Sequence, residues 1–261
     1  MGIKSLISTL VLVCLSFSSF AKDEGFSVSV GNYEVSSDLA FSSKSANLDD
    51  FSSSYDYSMS AIDISYVHKF NPSFFAILGY TTSLDDGDVD SKFIGDVQDQ
   101  TFARVKLGLG FAGSESASYE VWVEGTNIQS DYTAVNSSTK FEDSYDNFSV
   151  YIMRTNRVDF DKVFVDLDFG GFIGWTEHEV GLFDMLDAAQ KAKFETTQVG
   201  MLFKAGIGYN ITDNLNVSVS GQYRLSQEVE DDLSLSNGYV ATLNKAEYDS
   251  YSYSLNAAYS F

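Results

Sequence analysis

Ten segments that alternate apolar with polar residues, connections between them that run long, short, long, short, and a final strand ending on an aromatic residue together predict an all-β fold. The class is a closed antiparallel transmembrane β-barrel of about ten strands, with short turns at one end and long loops at the other. A sandwich folded in water has no reason to sort its connections by length. A barrel crossing a bilayer has one, because its turns on the periplasmic side are short and its outer loops long. Lipid offers no hydrogen bonds, so the first strand must pair with the last.

The N-terminus MGIKSLISTLVLVCLSFSSFA places Lys4 before an apolar run from about Leu6 to Phe17 and then Ser19-Phe20-Ala21. That order is the pattern of a secretory signal cleaved after Ala21, so residues 1–21 are expected to be removed and 22–261 to form the barrel. The apolar run is shorter than the roughly 20 residues of a spanning helix. Cys14, the one cysteine, falls inside this signal, which leaves the mature chain without disulfide or thiol chemistry. The formal charge is -21, and losing Lys4 makes it one unit more negative. Nucleic-acid binding needs a basic footprint and is excluded as a partner class.

The strands follow in order. The first, about 24–35, carries Phe26, Val28 and Val30 on one face; the second, about 57–70, sets Ile62, Ile64 and Tyr66 against Asp63, Ser65 and Lys69. A long Ser/Asp-rich loop separates them, whereas Asn71-Pro72-Ser73 turns at once into the third, FFAILGYTT. The loop LDDGDVDSKFIGDVQD precedes the fourth, about 100–112, with Ala103, Val105, Leu107, Leu109 and Phe111 in register. A Gly-Ser-Glu-Ser turn leads to the fifth, with Tyr119, Val121 and Val123. A loop around 129–143 precedes the sixth, NFSVYIMR, and a short turn over 156–161 the seventh, with Val163 through Trp175 in register. The stretch of about 177–195 holds FDMLDAAQKAKF, whose Phe183, Leu186 and Phe194 have helical spacing. The eighth strand presents Val199, Met201, Phe203, Ala205, Ile207 and Tyr209, and Thr212-Asp213-Asn214 turns into the ninth, with Leu215, Val217, Val219 and Tyr223. After a loop of about 227–244 the tenth strand puts Tyr251, Tyr253, Leu255, Ala257, Tyr259 and Phe261 on one face and Ser/Asn/Ala on the other.

The apolar faces are read as facing lipid, with Tyr66, Tyr80, Tyr119, Trp175, Tyr209, Tyr259 and Phe261 in interfacial girdles. The opposite faces then point into the lumen and carry Asp63, Lys69, Arg104, Lys106, Glu120, Glu124, Asp166, Asp168, Lys204 and Arg224. Arg104 and Lys106 lie on the strand beside Glu120 and Glu124, so pairing across the sheet is expected. A barrel of about eight strands is filled by its own side chains, and one of sixteen leaves a channel. Ten strands with mixed charges are expected to be mostly filled, leaving at most a narrow wet path.

The signal, the alternating strands, the NPS and TDN turns and the terminal YSF together resemble the bacterial outer-membrane β-barrel superfamily, including small porin-like and OmpA-type barrels. The resemblance covers the whole mature chain. It implies an integral location in the outer membrane, lipid and lipopolysaccharide as surroundings, and insertion by the barrel-insertion machinery, which would read Tyr259 and Phe261. It implies no cofactor.

Function is expected to be non-enzymatic, either porin-like or structural and surface-binding through acidic outer loops. Asp85, Asp86, Asp88, Asp90, Asp96 and Asp99 could attract divalent cations, but DDGDVD lacks the spacing and closing Glu of an EF-hand loop. His68 is expected at an interface. The alternative is an outer-membrane hydrolase. Asp85 and Asp86 open the second long loop and His178 the fourth, an arrangement similar to that of the omptins, the ten-stranded outer-membrane proteases. That resemblance implies water activation, with Glu177 or Glu179 pairing His178 as a general base, although no Asp-x-His is present. A lipid A-modifying hydrolase built on the same loop residues is the other form of this alternative.

Overall fold

The computed structural model describes residues 24–43, 51–91, 94–114, 117–134, 140–182, 190–229, 232–235 and 240–261; the signal expected over 1–21 lies outside them. The strands are β1 (Gly25–Ser43), β2 (Phe51–Asn71), β3 (Phe74–Ser83), a short β4 (Asp88–Ser91), β5 (Ile94–Ser114), β6 (Ala117–Ala134), β7 (Lys140–Phe160), β8 (Val163–Leu182), β9 (Gln190–Asn210), β10 (Leu215–Val229), a short β11 (Asp232–Leu235) and β12 (Val240–Ser260). Ten of them form a closed antiparallel wall in the order β1-β2-β3-β5-β6-β7-β8-β9-β10-β12, with β12 returning to β1. The short β4 pairs with β2, and β11 with β12 and β9. Closure runs from Gly25 opposite Ser260 up to Ser43 opposite Ala241, and the Phe261 amide donates to the Glu24 carbonyl at 3.0 Å.

Alternation along each strand sorts the side chains between two solvents. Leu255 is 63 % exposed, Leu109 62 % and Ile207 58 %, and each belongs to a continuous apolar band around the outside of the wall. A protein folded in water does not leave such a band uncovered. On the periplasmic side the band ends in aromatic contacts: Phe26 stacks on Tyr66 at 4.6 Å and meets Phe261 edge-on at 5.7 Å, and Phe111 stacks on Tyr119 at 5.1 Å. At the other end Phe148 stacks on Trp175 at 6.1 Å. One step above them, Asp146, Glu177 and Glu195 stand side by side on three strands. The exterior thus changes from apolar to acidic within two residues.

The short turns are held by local side chains. Asn71 Oδ1 accepts from the amides of Ser73 (2.8 Å) and Phe74 (3.0 Å), and Thr212 Oγ1 from those of Asn214 (3.2 Å) and Leu215 (3.0 Å). Both are the Asx- and ST-type turns that such residues favour. Asp161 turns the chain between β7 and β8 with φ 58°.

Two expectations about the connections are corrected. Segments read as long loops continue the wall: β1 runs on to Ser43, β6 to Ala134, and β7 begins at Lys140. A strand of 21 residues such as β5, tilted about 40°, rises roughly 50 Å, about twice the lipid-facing height. Above the lipid both faces see water, so pairing with a neighbour already in place carries Ser/Asp-rich backbone upward without apolar alternation. The helix-like stretch is the second correction. Residues 190–194 are strand, with Gln190 opposite Leu182 and Lys193 opposite Glu179, while 183–189 lie outside the described residues. Ladder pairing with β8 outweighs a modest helix propensity.

Candidate functional site in the barrel lumen

The lumen has two unlike halves. On the β3 and β5–β9 side, large rings fill it. Trp122 stacks on Tyr151 at 5.0 Å, and Tyr151 on Phe172 at 5.0 Å, with Met153 and Leu202 in the same cluster. Lower down, Phe75 and Phe164 are fully buried. Each lies flat against an inward glycine, Phe75 on Gly110 and Phe164 on Gly208, where a Cβ would overlap the ring.

Charges are threaded through this packing. Glu124, 5 % exposed, lies 4.0 Å from Arg104 and 4.0 Å from Arg224, and accepts from the Tyr151 hydroxyl at 3.1 Å. Arg104 donates to Tyr33 (3.1 Å) and to Thr81 (3.2 Å from Nε, 3.1 Å from Nη2), and Thr81 donates to Asp63 at 2.6 Å. Arg224 donates to Gln198 at 3.2 Å and lies 4.1 Å over the Phe172 ring. Gln198 in turn donates to the Tyr145 hydroxyl at 3.1 Å. The chain of contacts runs from β2 across the lumen to β10. Buried charges are tolerated when paired and hydrogen-bonded in this way.

The β1, β12 and β10 side is different. Its inward residues include Ser27, Ser29, Ser218, Ser252, Ser254 and Asn256, all partly accessible to solvent, together with the buried Ser220 and Ser226 and with Tyr33 and Arg224 of the charged network. Hydroxyls link across the strands, with Ser27 to Ser65 at 2.6 Å and Ser220 to Ser254 at 3.1 Å, and Asn256 donates to Ser220 at 3.1 Å. Small neutral side chains predominate there, whereas rings fill the opposite half.

The other sequence-derived lumen charges stand as follows. Lys106 is opposite Glu124 in register and places its ammonium 3.6 Å over the Trp122 ring. Glu120 is buried lower on β6. Asp168 faces Lys204 across β8 and β9. Asp166 takes a two-pronged bond from Arg157 at 2.8 and 2.9 Å. Lys69 lies at the periplasmic end of β2, six positions from Asp63 and outside the central group. Sequence reasoning missed Arg157, Tyr33, Tyr145, Tyr151 and Gln198. Arg157 was legible by carrying the inward series 147, 149, 151, 153, 155 one step into what reads as a turn. The tyrosines carried no signal, since they belong to both faces of the wall.

Asp85 follows β3 and His178 lies on β8, with β5, β6 and β7 between them in the wall. Asp85 accepts from the Ser60 amide at 2.9 Å, and hydrogen bonds from Ser60 hold its carboxyl below the usual carboxylate range. Asp86 is exposed. His178 is buried at the outer end of the lumen, edge-on to Tyr145 at 5.0 Å. Glu177 and Glu179 precede and follow it on a strand, so they point to the opposite face and cannot pair with it as expected. His68 lies outside, near the periplasmic turn, 2.9 Å from Glu24, and this bond keeps the Glu24 carboxyl low. Tyr259 and Phe261 face outward, their rings 5.9 Å apart.

The closed wall and its lipid-facing band define an integral membrane β-barrel. Among solved structures the fold is similar to that of the outer membrane protease OmpT from Escherichia coli, with a TM-score of 0.60 and 12 % identity over 95 % of this chain and 99 % of that one. Weaker likenesses are to the translocator domain of the autotransporter NalP from Neisseria meningitidis (TM-score 0.44, 9 % identity, 99 % and 95 %) and to OprG from Pseudomonas aeruginosa (TM-score 0.39, 10 % identity, 92 % and 98 %). No protein-family model matches the chain, and no curated protein matches it in sequence.

Proposed function

We propose that the protein is a non-enzymatic, narrow outer-membrane pore that passes water, ions and small uncharged polar solutes. The observation that carries this reading is the solvent-accessible serine and asparagine lining on the β1/β12/β10 side, beside a half-lumen blocked by rings and paired charges. Hydroxyls and amides replace water's hydrogen bonds at little cost and repel no charge. The test is conductance of the refolded protein in a planar bilayer, with swelling of liposomes in small polyols. Small steady steps are expected, and Ser29→Trp together with Ser218→Trp should abolish them. Silence from folded wild-type protein overturns the pore and leaves surface binding through the outer loops.

A second reading uses the outer end of the same lumen. His178 is buried there against the Tyr145 ring, and the fold is similar to that of a protease whose name states its activity. As a hydrolase the protein would use Asp85 or Asp86 and His178 from opposite sides of the mouth. His178→Ala should then abolish cleavage of peptide or lipid A substrates, and wild-type inactivity on both sinks this reading.

A further inference from the structure

Along the lipid-facing stretch of β7, from Phe148 to Phe160, the outward face is apolar except at two positions. Between Ile152 above and Val158 below stand Arg154 and Asn156. Arg154 is flanked in register by Tyr119 on β6 and Phe169 on β8, and its guanidinium carbon lies 5.8 and 5.9 Å from their ring centres. Arg154 Nε donates to Asn156 Oδ1 at 2.9 Å. Asn156 is two residues nearer the β7–β8 turn, so this bond draws the guanidinium toward the periplasmic surface. Tyr119 adds an independent observation. It is 3 % exposed, and its hydroxyl is buried with no hydrogen-bond partner. A buried hydroxyl left without an acceptor is costly.

A cation on the lipid face of a barrel is expensive at mid-membrane and cheap near the headgroups. Arg154 is six residues from the end of β7, about 15 Å of height on a tilted strand, which brings its side chain within reach of the periplasmic headgroup layer. The headgroup layer at that depth presents phosphodiesters. Guanidinium N–H groups match phosphate oxygens two at a time, and a neighbouring phenol supplies one more donor.

We infer that Arg154, Asn156 and Tyr119 hold the phosphate of one phospholipid in the periplasmic leaflet, with its acyl chains along Phe169 and the apolar wall. The bound phosphate supplies the acceptor that the Tyr119 hydroxyl lacks. This site is independent of the lumenal pore.

The test is native mass spectrometry of the intact barrel in detergent, titrated separately with phosphatidylglycerol and with diacylglycerol of the same chains, and with inorganic phosphate as competitor. One phosphatidylglycerol should stay bound to wild type, about tenfold or more weakly to Arg154→Gln, and more weakly to Tyr119→Phe. Diacylglycerol should not bind, and inorganic phosphate should not displace the lipid. Circular dichroism keeps folding separate from binding, and Asn156→Ala serves as a second variant should Arg154→Gln misfold. Equal retention by folded Arg154→Gln overturns the site, as do equal binding of diacylglycerol and displacement of lipid by phosphate alone. A wild-type dimer that Arg154→Gln splits into monomers would instead assign this face to a second copy of the chain and overturn the lipid site.

Discussion

Glu124 is the residue on which the lumenal charges depend. Two guanidiniums and a phenol converge on one buried carboxylate. Glu124→Gln leaves two buried cations facing a neutral amide, and unfolding by denaturant should show a loss of about 3–5 kcal/mol. Arg224→Met should cost less, because Arg104 still balances Glu124 and the new side chain can pack on Phe172. Asp85 gives the pH-dependent counterpart. Its folded pKa is depressed, so its contribution is complete above the ordinary carboxylate range and is lost as pH falls through the folded value. Stability measured downward from about pH 4 should therefore decline less in Asp85→Asn than in wild type. That Arg104, Glu124 and Arg224 face inward was readable from alternation alone. That one carboxylate serves both arginines was not, because β5, β6 and β10 come together only through the curvature of the closed wall.

At the scale of the element, each strand reads differently in its lower and upper parts. The lipid-facing stretches carry their own apolar periodicity and are legible in the sequence, as in Val163 to Trp175. The upper stretches, such as 36–43 and 190–194, have the sequence of loop or helix because their strand character comes from neighbours and not from their own residues. The inward glycines of β5 are equally silent, since LGLG over 107–110 shows only that side chains are missing, not which ring takes their place. Gly110→Leu should push Phe75 out of its seat and cost about 1–3 kcal/mol, checked by thermal unfolding. The same substitution at Gly125, where an added Cβ meets nothing within 4 Å, should be close to neutral.

For the whole molecule, the two tryptophans report the two environments. Trp175 is 49 % exposed on the outer face and Trp122 is 7 % exposed inside. In vesicles containing brominated lipid, fluorescence of the Trp122→Phe variant should be strongly quenched and that of Trp175→Phe hardly at all. Equal quenching of both would mean that the inside and outside of the wall have been exchanged. The join between the chain's ends, where the Phe261 amide reaches the Glu24 carbonyl, has a separate consequence. Its ladder is among the longest in the wall, so the ring has no privileged starting point. A circular permutant opened at Asn71–Ser73, with a few residues linking Phe261 to Glu24, keeps every ladder and moves the seam to β2 and β3. It should fold to the same barrel while presenting a different final strand, which separates what the ring needs for stability from what the terminal Tyr259 and Phe261 do for delivery.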